Sequence, residues 1–188
     1  MGVQLHLFGV TDKRQLWHSI GDGRGNYTDL GDVDRQTRTV GTDRTIVDAA
    51  CATDSSGNFH ALVLADDGGL WYTVRSALGH PPGADNPEYR AGDWRFPLEE
   101  LGKAGGPAAG IGKITAVGAA TEGMTLVVLA ATADQKLHRA VRKPNGSDIF
   151  KGKWVSRFEP IRTKPEPNPT VPLTTPFTVL VGAYFKTP

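Results

Sequence analysis

Laid on itself, the chain aligns three times without gaps. A shift of 54 places LHLFGVTDKRQLWHSI (5–20) over FHALVLADDGGLWYTV (59–74), and a shift of 121 adds LVVLAATADQKLHRAV (126–141). In each segment an apolar run stops at a polar turn (Asp12–Gln15, Asp66–Gly69, Thr132–Gln135) and restarts at a leucine, Leu16, Leu70 or Leu137. Two short apolar runs around Asp, Gly, Gln and Lys predict a β-hairpin, here repeated. In the second repeat Leu70, Tyr72 and Val74 fall on one face and Trp71, Thr73 and Arg75 on the other. Both faces carry large groups, as in a sheet covered on both sides.

Each hairpin is followed by a third strand opened by an aromatic: NYTDLGDV (26–33), DWRFPLEEL (93–101) and KWVSRFEPI (153–161). A fourth strand, rich in small residues, precedes the second and third hairpins: IVDAACAT (46–53) and ITAVGAAT (114–121). None precedes the first hairpin, but TVLVGAYF (178–185) aligns with ITAVGAAT on Val-Gly-Ala. The loops are unequal, with 79–92 the longest, as expected where a repeat carries its decoration on one side.

Four short antiparallel strands per repeat, with a small-residue strand where strands crowd, predict an all-β chain: a β-propeller of three four-stranded blades. Blade one takes 1–33 plus a C-terminal strand at 177–186, blade two 46–101 and blade three 114–161. The connector 162–176 has five prolines in 15 residues, which predicts an extended tether. Closed propellers need about four blades or more. The expectation is therefore a homodimer of six blades, each C-terminal strand completing the first blade of the partner, in an obligate assembly.

At 188 residues and a net charge of +1 with both signs interspersed, the chain shows no basic field for nucleic acid. MGVQLHLFGVTD lacks a basic start, and no apolar run approaches the roughly 20 residues that span a bilayer. The sequence thus predicts a soluble protein, cytoplasmic or released without a classical signal peptide, with no membrane insertion. The lone Cys51 sits in a small-residue strand and reads as a buried, inert thiol. His6 and His60 are equivalent by repeat and read as blade residues. No spacing suits zinc or calcium, so no cofactor or metal is expected. GGPAAGIG (105–112) lacks the Lys-Ser/Thr of a phosphate loop and reads as a flexible inter-blade linker.

At GGLWYTVR and RQLWHSIG the sequence resembles bacterial propeller lectins of the Photorhabdus-lectin type and, more loosely, fungal fucose-binding lectins and tectonin-like propellers. The resemblance implies a non-enzymatic lectin that binds glycans between neighbouring blades, with fucose-like or methylated sugars as ligands. Trp17, Trp71, Trp94 and Trp154 are the candidate stacking residues, since an indole offers a flat apolar face and one N–H. Trp71, flanked by Tyr72 and Arg75, leads. Trp17 and His18 form the matching group in the first repeat, with Ser19 beside them. In the third, His138 replaces the tryptophan, and Arg139 and Arg142 stand where Tyr72 and Arg75 do, which implies a weakened or lost site. The same aromatics equally suit a second role, wedging blades together in a structural or protein-binding propeller of a larger assembly or phage particle. A glycoside hydrolase, with its site in loops 79–92 or 143–152, is the third reading. DDGGLWY is similar to the turn of sialidase propellers, but no sialidase constellation accompanies it.

Overall fold

The computed structural model describes residues 5–21, 26–33, 45–77, 92–95, 98–146 and 148–161. These form three antiparallel sheets and almost no helix. Sheet one is β1 (Leu5–Val10), β2 (Leu16–Gly21) and β3 (Tyr27–Asp32), in that order. Sheet two is β4 (Ile46–Thr53), β5 (Phe59–Ala65), β6 (Leu70–Arg75) and β7 (Glu99–Glu100). Sheet three is β8 (Ile114–Glu122), β9 (Thr125–Thr132), β10 (Leu137–Asn145) and β11 (Asp148–Trp154), with β12 (Glu159–Pro160) also paired to β10. The connector 162–176, the strand expected at 178–185 and most of loop 79–92 lie outside the described residues.

The three hairpins turn in one way. Thr11, Ala65 and Thr132 each accept from the N–H three residues on, and each donates to the carbonyl one residue further. The residue three after Thr11, Ala65 and Thr132 is left-handed every time: Arg14 (φ 61°), Gly68 (φ 87°) and Gln135 (φ 62°). A tight turn closed by a left-handed residue carries the right-handed twist of the flanking strands. Only the second turn uses glycine there.

Sheet two lies between the other two, and the alternation of its strands assigns each side chain to a neighbour. Leu62, Leu64, Leu70, Tyr72 and Val74 pack with Ile114, Val117, Leu126, Val128, Phe150 and Phe158 of sheet three and its flanks. Phe59, Ala61, Val63, Ala65 and Trp71 pack with Leu16, Trp94 and Leu98, and with Phe8 and Val10, on the side of sheet one. All seven residues of β5 are buried, and each large apolar side chain so enclosed contributes about 1.5–3 kcal/mol.

The small residues of β4 and β8 let these strands approach side by side. Asp48 accepts from the Val117 N–H at 3.3 Å, Thr121 Oγ1 donates to the Thr53 carbonyl at 2.7 Å, and the Ser55 N–H donates to Gly123 at 2.9 Å. In sheet one, no described strand lies beyond β1.

Three local expectations are corrected. The strand expected over 93–101 is two pieces, a bridge from Trp94 to Arg75 and then β7 against Trp71 and Tyr72. Between them the sequence places Pro97, which has no N–H for a ladder. The stretch 143–152 is mostly strand, because β10 continues to Asn145, turns at Gly146 (φ 60°) and returns as β11. Its register shifts between Lys143 and Asn145, where Pro144 sits. The stretch 105–112 is a packed turn, with Gly106, Pro107 and Ala108 buried. The Ala108 N–H donates to Leu101 and the Phe158 N–H to Pro107, both at 2.9 Å. Cys51 is half-buried, and burial raises its thiol to about 11, so it stays protonated at neutral pH. Among the described residues no helix is long and apolar enough to cross a membrane.

Candidate functional site at the sheet junctions

Most of the candidate residues gather at two junctions built alike. Between sheets one and two, His6 Nδ1 lies 3.0 Å from His18 Nε2, and His18 meets Trp94 edge to face at 5.4 Å and 78°. Phe59 stacks on both imidazoles, at 4.7 Å and 5.0 Å. Between sheets two and three, His60 Nδ1 lies 2.8 Å from Tyr72 Oη, and Tyr72 meets Trp154 edge to face at 5.6 Å and 81°. Each pair joins residues twelve apart, the first on one hairpin strand and the second on its return.

An arginine and a glycine of the later sheet complete each junction. Arg142 Cζ lies 4.7 Å above the Tyr72 ring centroid, a cation on an aromatic face. Gly152, two residues before Trp154, leaves room for that guanidinium, since a Cβ there would overlap Arg142 Nη1. Gly92, two residues before Trp94, does the same for Arg75, whose Nη2 would lie 2.7 Å from a Cβ. Arg75 and Arg142 hold the same repeat position, as do Gly92 and Gly152.

Electrostatics follow from burial. Desolvation lowers His18 to about 4, with His6 and Arg75 adding repulsion, so it is neutral near pH 7. His6 is lowered too, by burial and then by Arg75. Burial also lowers His60, outweighing the opposing pull of Asp54. Burial acts to raise Asp54, but hydrogen bonds from His60 and Asn58 overcome it and hold the carboxyl below its ordinary value. Asp54 accepts from the N–H groups of Ser56 and Asn58 at 2.9 and 3.0 Å, and from Asn58 Nδ2 at 2.9 Å. A carboxylate only accepts, so at 3.4 Å His60 Nε2 carries the proton toward Asp54 Oδ2, leaving Nδ1 to accept from the Tyr72 hydroxyl. The order carboxylate, imidazole, hydroxyl is that of a nucleophilic triad. Here Tyr72 is 0% exposed and burial pushes its hydroxyl well above the ordinary phenol value, so the chain braces the junction.

On its outer side the second junction opens into a cleft of about 670 Å³, lined among others by Glu99, Lys103, Trp154, Ser156 and Arg157. That volume suits a small ligand. Trp154 is half-buried there. Its Nε1 donates to Glu99 Oε1 at 3.2 Å, and Arg95 Nη1 donates to Glu99 Oε2 at 3.2 Å, so the carboxylate is fixed from both sides. The cleft thus offers an aromatic wall, one oriented acceptor, and hydroxyl and cationic donors.

The seven candidates therefore divide. Tyr72 and Trp154 come together at the second junction, with Trp154 at the cleft. His18, Arg75 and Trp94 come together at the first. Trp71 and Trp94 are only 3% and 7% exposed and belong to the core between sheets one and two. Trp17 alternates to the opposite face of β2 from His18 and is half-buried. Asp54, Glu99, Lys103 and Arg157 were not singled out by sequence. Only the Glu-Glu pair after Pro97 hinted at an acid near the aromatic, and its partner Trp154 is far along the chain. Among the described residues no group of three or more His, Cys, Asp or Glu side chains is placed to hold a metal ion. No protein-family model matches the sequence, and no curated protein does.

Proposed function

We propose that the protein is a carbohydrate-binding lectin without enzymatic activity that holds a sugar in the cleft between sheets two and three. The observation that carries this reading is Trp154 at the wall of an open cleft, with Glu99 fixed beside it by two donors. An indole face suits the C–H side of a pyranose, and an oriented carboxylate accepts from two vicinal hydroxyls. Fucose-like or methylated sugars are the class that the resemblance of LWYTVR and LWHSIG implies. In this reading the three sheets are blades of a propeller, and two chains complete six. In the same reading the C-terminal segment expected as a strand at 178–185 completes the first blade of the partner. Repeated sites on such a rigid body would raise avidity.

Two rivals remain in view. Burial of Trp71 and Trp94 favours a structural or protein-binding propeller whose tryptophans only pack. A glycoside hydrolase pairs two carboxylates across the scissile bond. Glu99 is the one carboxylate among the described residues lining the cleft. Titrating sugars against intrinsic fluorescence separates lectin from scaffold. A saturable change that is lost in Trp154→Phe supports the lectin; an unchanged spectrum across sugar classes supports the scaffold.

A further inference from the structure

The two junctions use one face of the earlier sheet and the opposite face of the later one. Sheet three also carries the first kind of face, at Val127, Leu129, Leu137, Arg139 and Val141. Their counterparts in sheet two are His60, Leu62, Leu70, Tyr72 and Val74, all 0% exposed against sheet three. On sheet three the four apolar residues are only half-buried and Arg139 is exposed. Sheet one carries the second kind of face. There Tyr27, 50% exposed, opens the third strand as Trp94 and Trp154 do, and Gly21 stands at the repeat position of Arg75 and Arg142.

The substitutions on these two faces are reciprocal. Inside the chain, the aromatic or imidazole (His18, Tyr72) lies on the earlier sheet and the arginine on the later. On the outer faces the arginine, Arg139, has moved to the earlier sheet, and its usual place holds Gly21. The Tyr27 ring occupies the space over that glycine: a Cβ on Gly21 would lie 2.6 Å from Tyr27 Cε1. Brought together, the faces again supply one cation and one aromatic. An arginine at both positions would set two guanidiniums against each other, which like charges oppose.

We infer that the outer face of sheet three binds the outer face of sheet one of a second copy of this chain, head to tail, with Arg139 of one copy over Tyr27 of the other. The apolar residues Val127, Leu129, Leu137 and Val141 form the buried floor of that contact. Two copies make it twice, reciprocally, and close on themselves. This rests on the propeller reading above, but not on sugar binding.

The test is the solution mass of the full chain by light scattering, for the wild type, Leu129→Glu and Tyr27→Glu. The wild type should have twice the chain mass. Each variant alone should weaken self-association at least tenfold, and the two mixed should recover a dimer through the one junction that neither substitution touches. Tyr27→Cys mixed with Arg139→Cys should be joined by a short bismaleimide, while neither does so alone; this arm decides if a charged variant fails to fold. A wild type of single-chain mass overturns the inference together with the ring. A dimer insensitive to both charges and not cross-linked overturns this junction and leaves the ring to close elsewhere. Silence toward sugars, with the masses as expected, overturns the lectin alone.

Discussion

Gly152 has no room for a side chain beside Arg142: a Cβ would overlap Nη1 and come within 2.7 Å of the Lys143 carbonyl oxygen. The guanidinium in turn lies over Tyr72, so the absent methyl group leaves room for the cation at the junction of sheets two and three. Gly152→Ala should cost about 1–3 kcal/mol, the usual penalty of overpacking. Gly102→Ala, with nothing within 4 Å of its Cβ, should stay within about 0.5 kcal/mol. Urea unfolding of the two variants measures both.

Tyr72→Phe removes the hydroxyl that His60 Nδ1 accepts from at 2.8 Å and leaves a buried nitrogen unpaired. A loss of about 1–3 kcal/mol is expected. In Tyr72→Phe/His60→Leu only part of the loss should return, because the unpaired imidazole nitrogen is gone but Asp54 loses the His60 Nε2 donor. A double-mutant cycle in denaturant gives the coupling.

Trp71→Ala should behave as a core deletion. The side chain is 3% exposed beside Phe59 and Trp94 in one cluster, and removing a buried tryptophan costs about 3–5 kcal/mol. Thermal unfolding should show a large drop in midpoint. Any loss of ligand binding in this variant would then follow from unfolding.

Acid should destabilise the fold in a defined window. His18 is held at about 4 against an ordinary 6.5, and His6 and His60 are lowered as well. Between those values the unfolded chain binds protons that the folded chain refuses, so stability rises with pH there and falls as pH drops from 6.5 toward 4. Each such histidine contributes a slope of at most about 1.4 kcal/mol per pH unit. The slope of unfolding free energy on pH should be shallower in His18→Phe.

The repeat was legible because every hairpin spends its residues alike. Leu16, Leu70 and Leu137 restart a strand two residues after a left-handed turn residue in all three. The assignment of Leu70, Tyr72 and Val74 to one face and Trp71 to the other also follows from alternation, and the two core clusters divide along it. The third strands were less legible. Pro144 sits where the register of β10 on β11 shifts, and such a break depends on which N–H faces the partner strand. The cleft was least legible. Glu99 and Trp154 meet across 55 residues, and Arg142 reaches Tyr72 across a sheet junction, so no local pattern announces either contact. Trp71 stood out in sequence for the same reason that it is buried: a large aromatic in a strand covered on both faces has no other place.

The most direct measurement is a glycan array with the full chain, run beside Trp154→Ala and Arg157→Ala. Arg157 is exposed at the cleft, and its truncation should leave the fold intact. The account predicts saturable binding to one sugar class, weakened at least tenfold in Trp154→Ala and measurably in Arg157→Ala, with the thermal midpoint of the latter unchanged. Silence across the array, or equal binding by all three folded proteins, would contradict it.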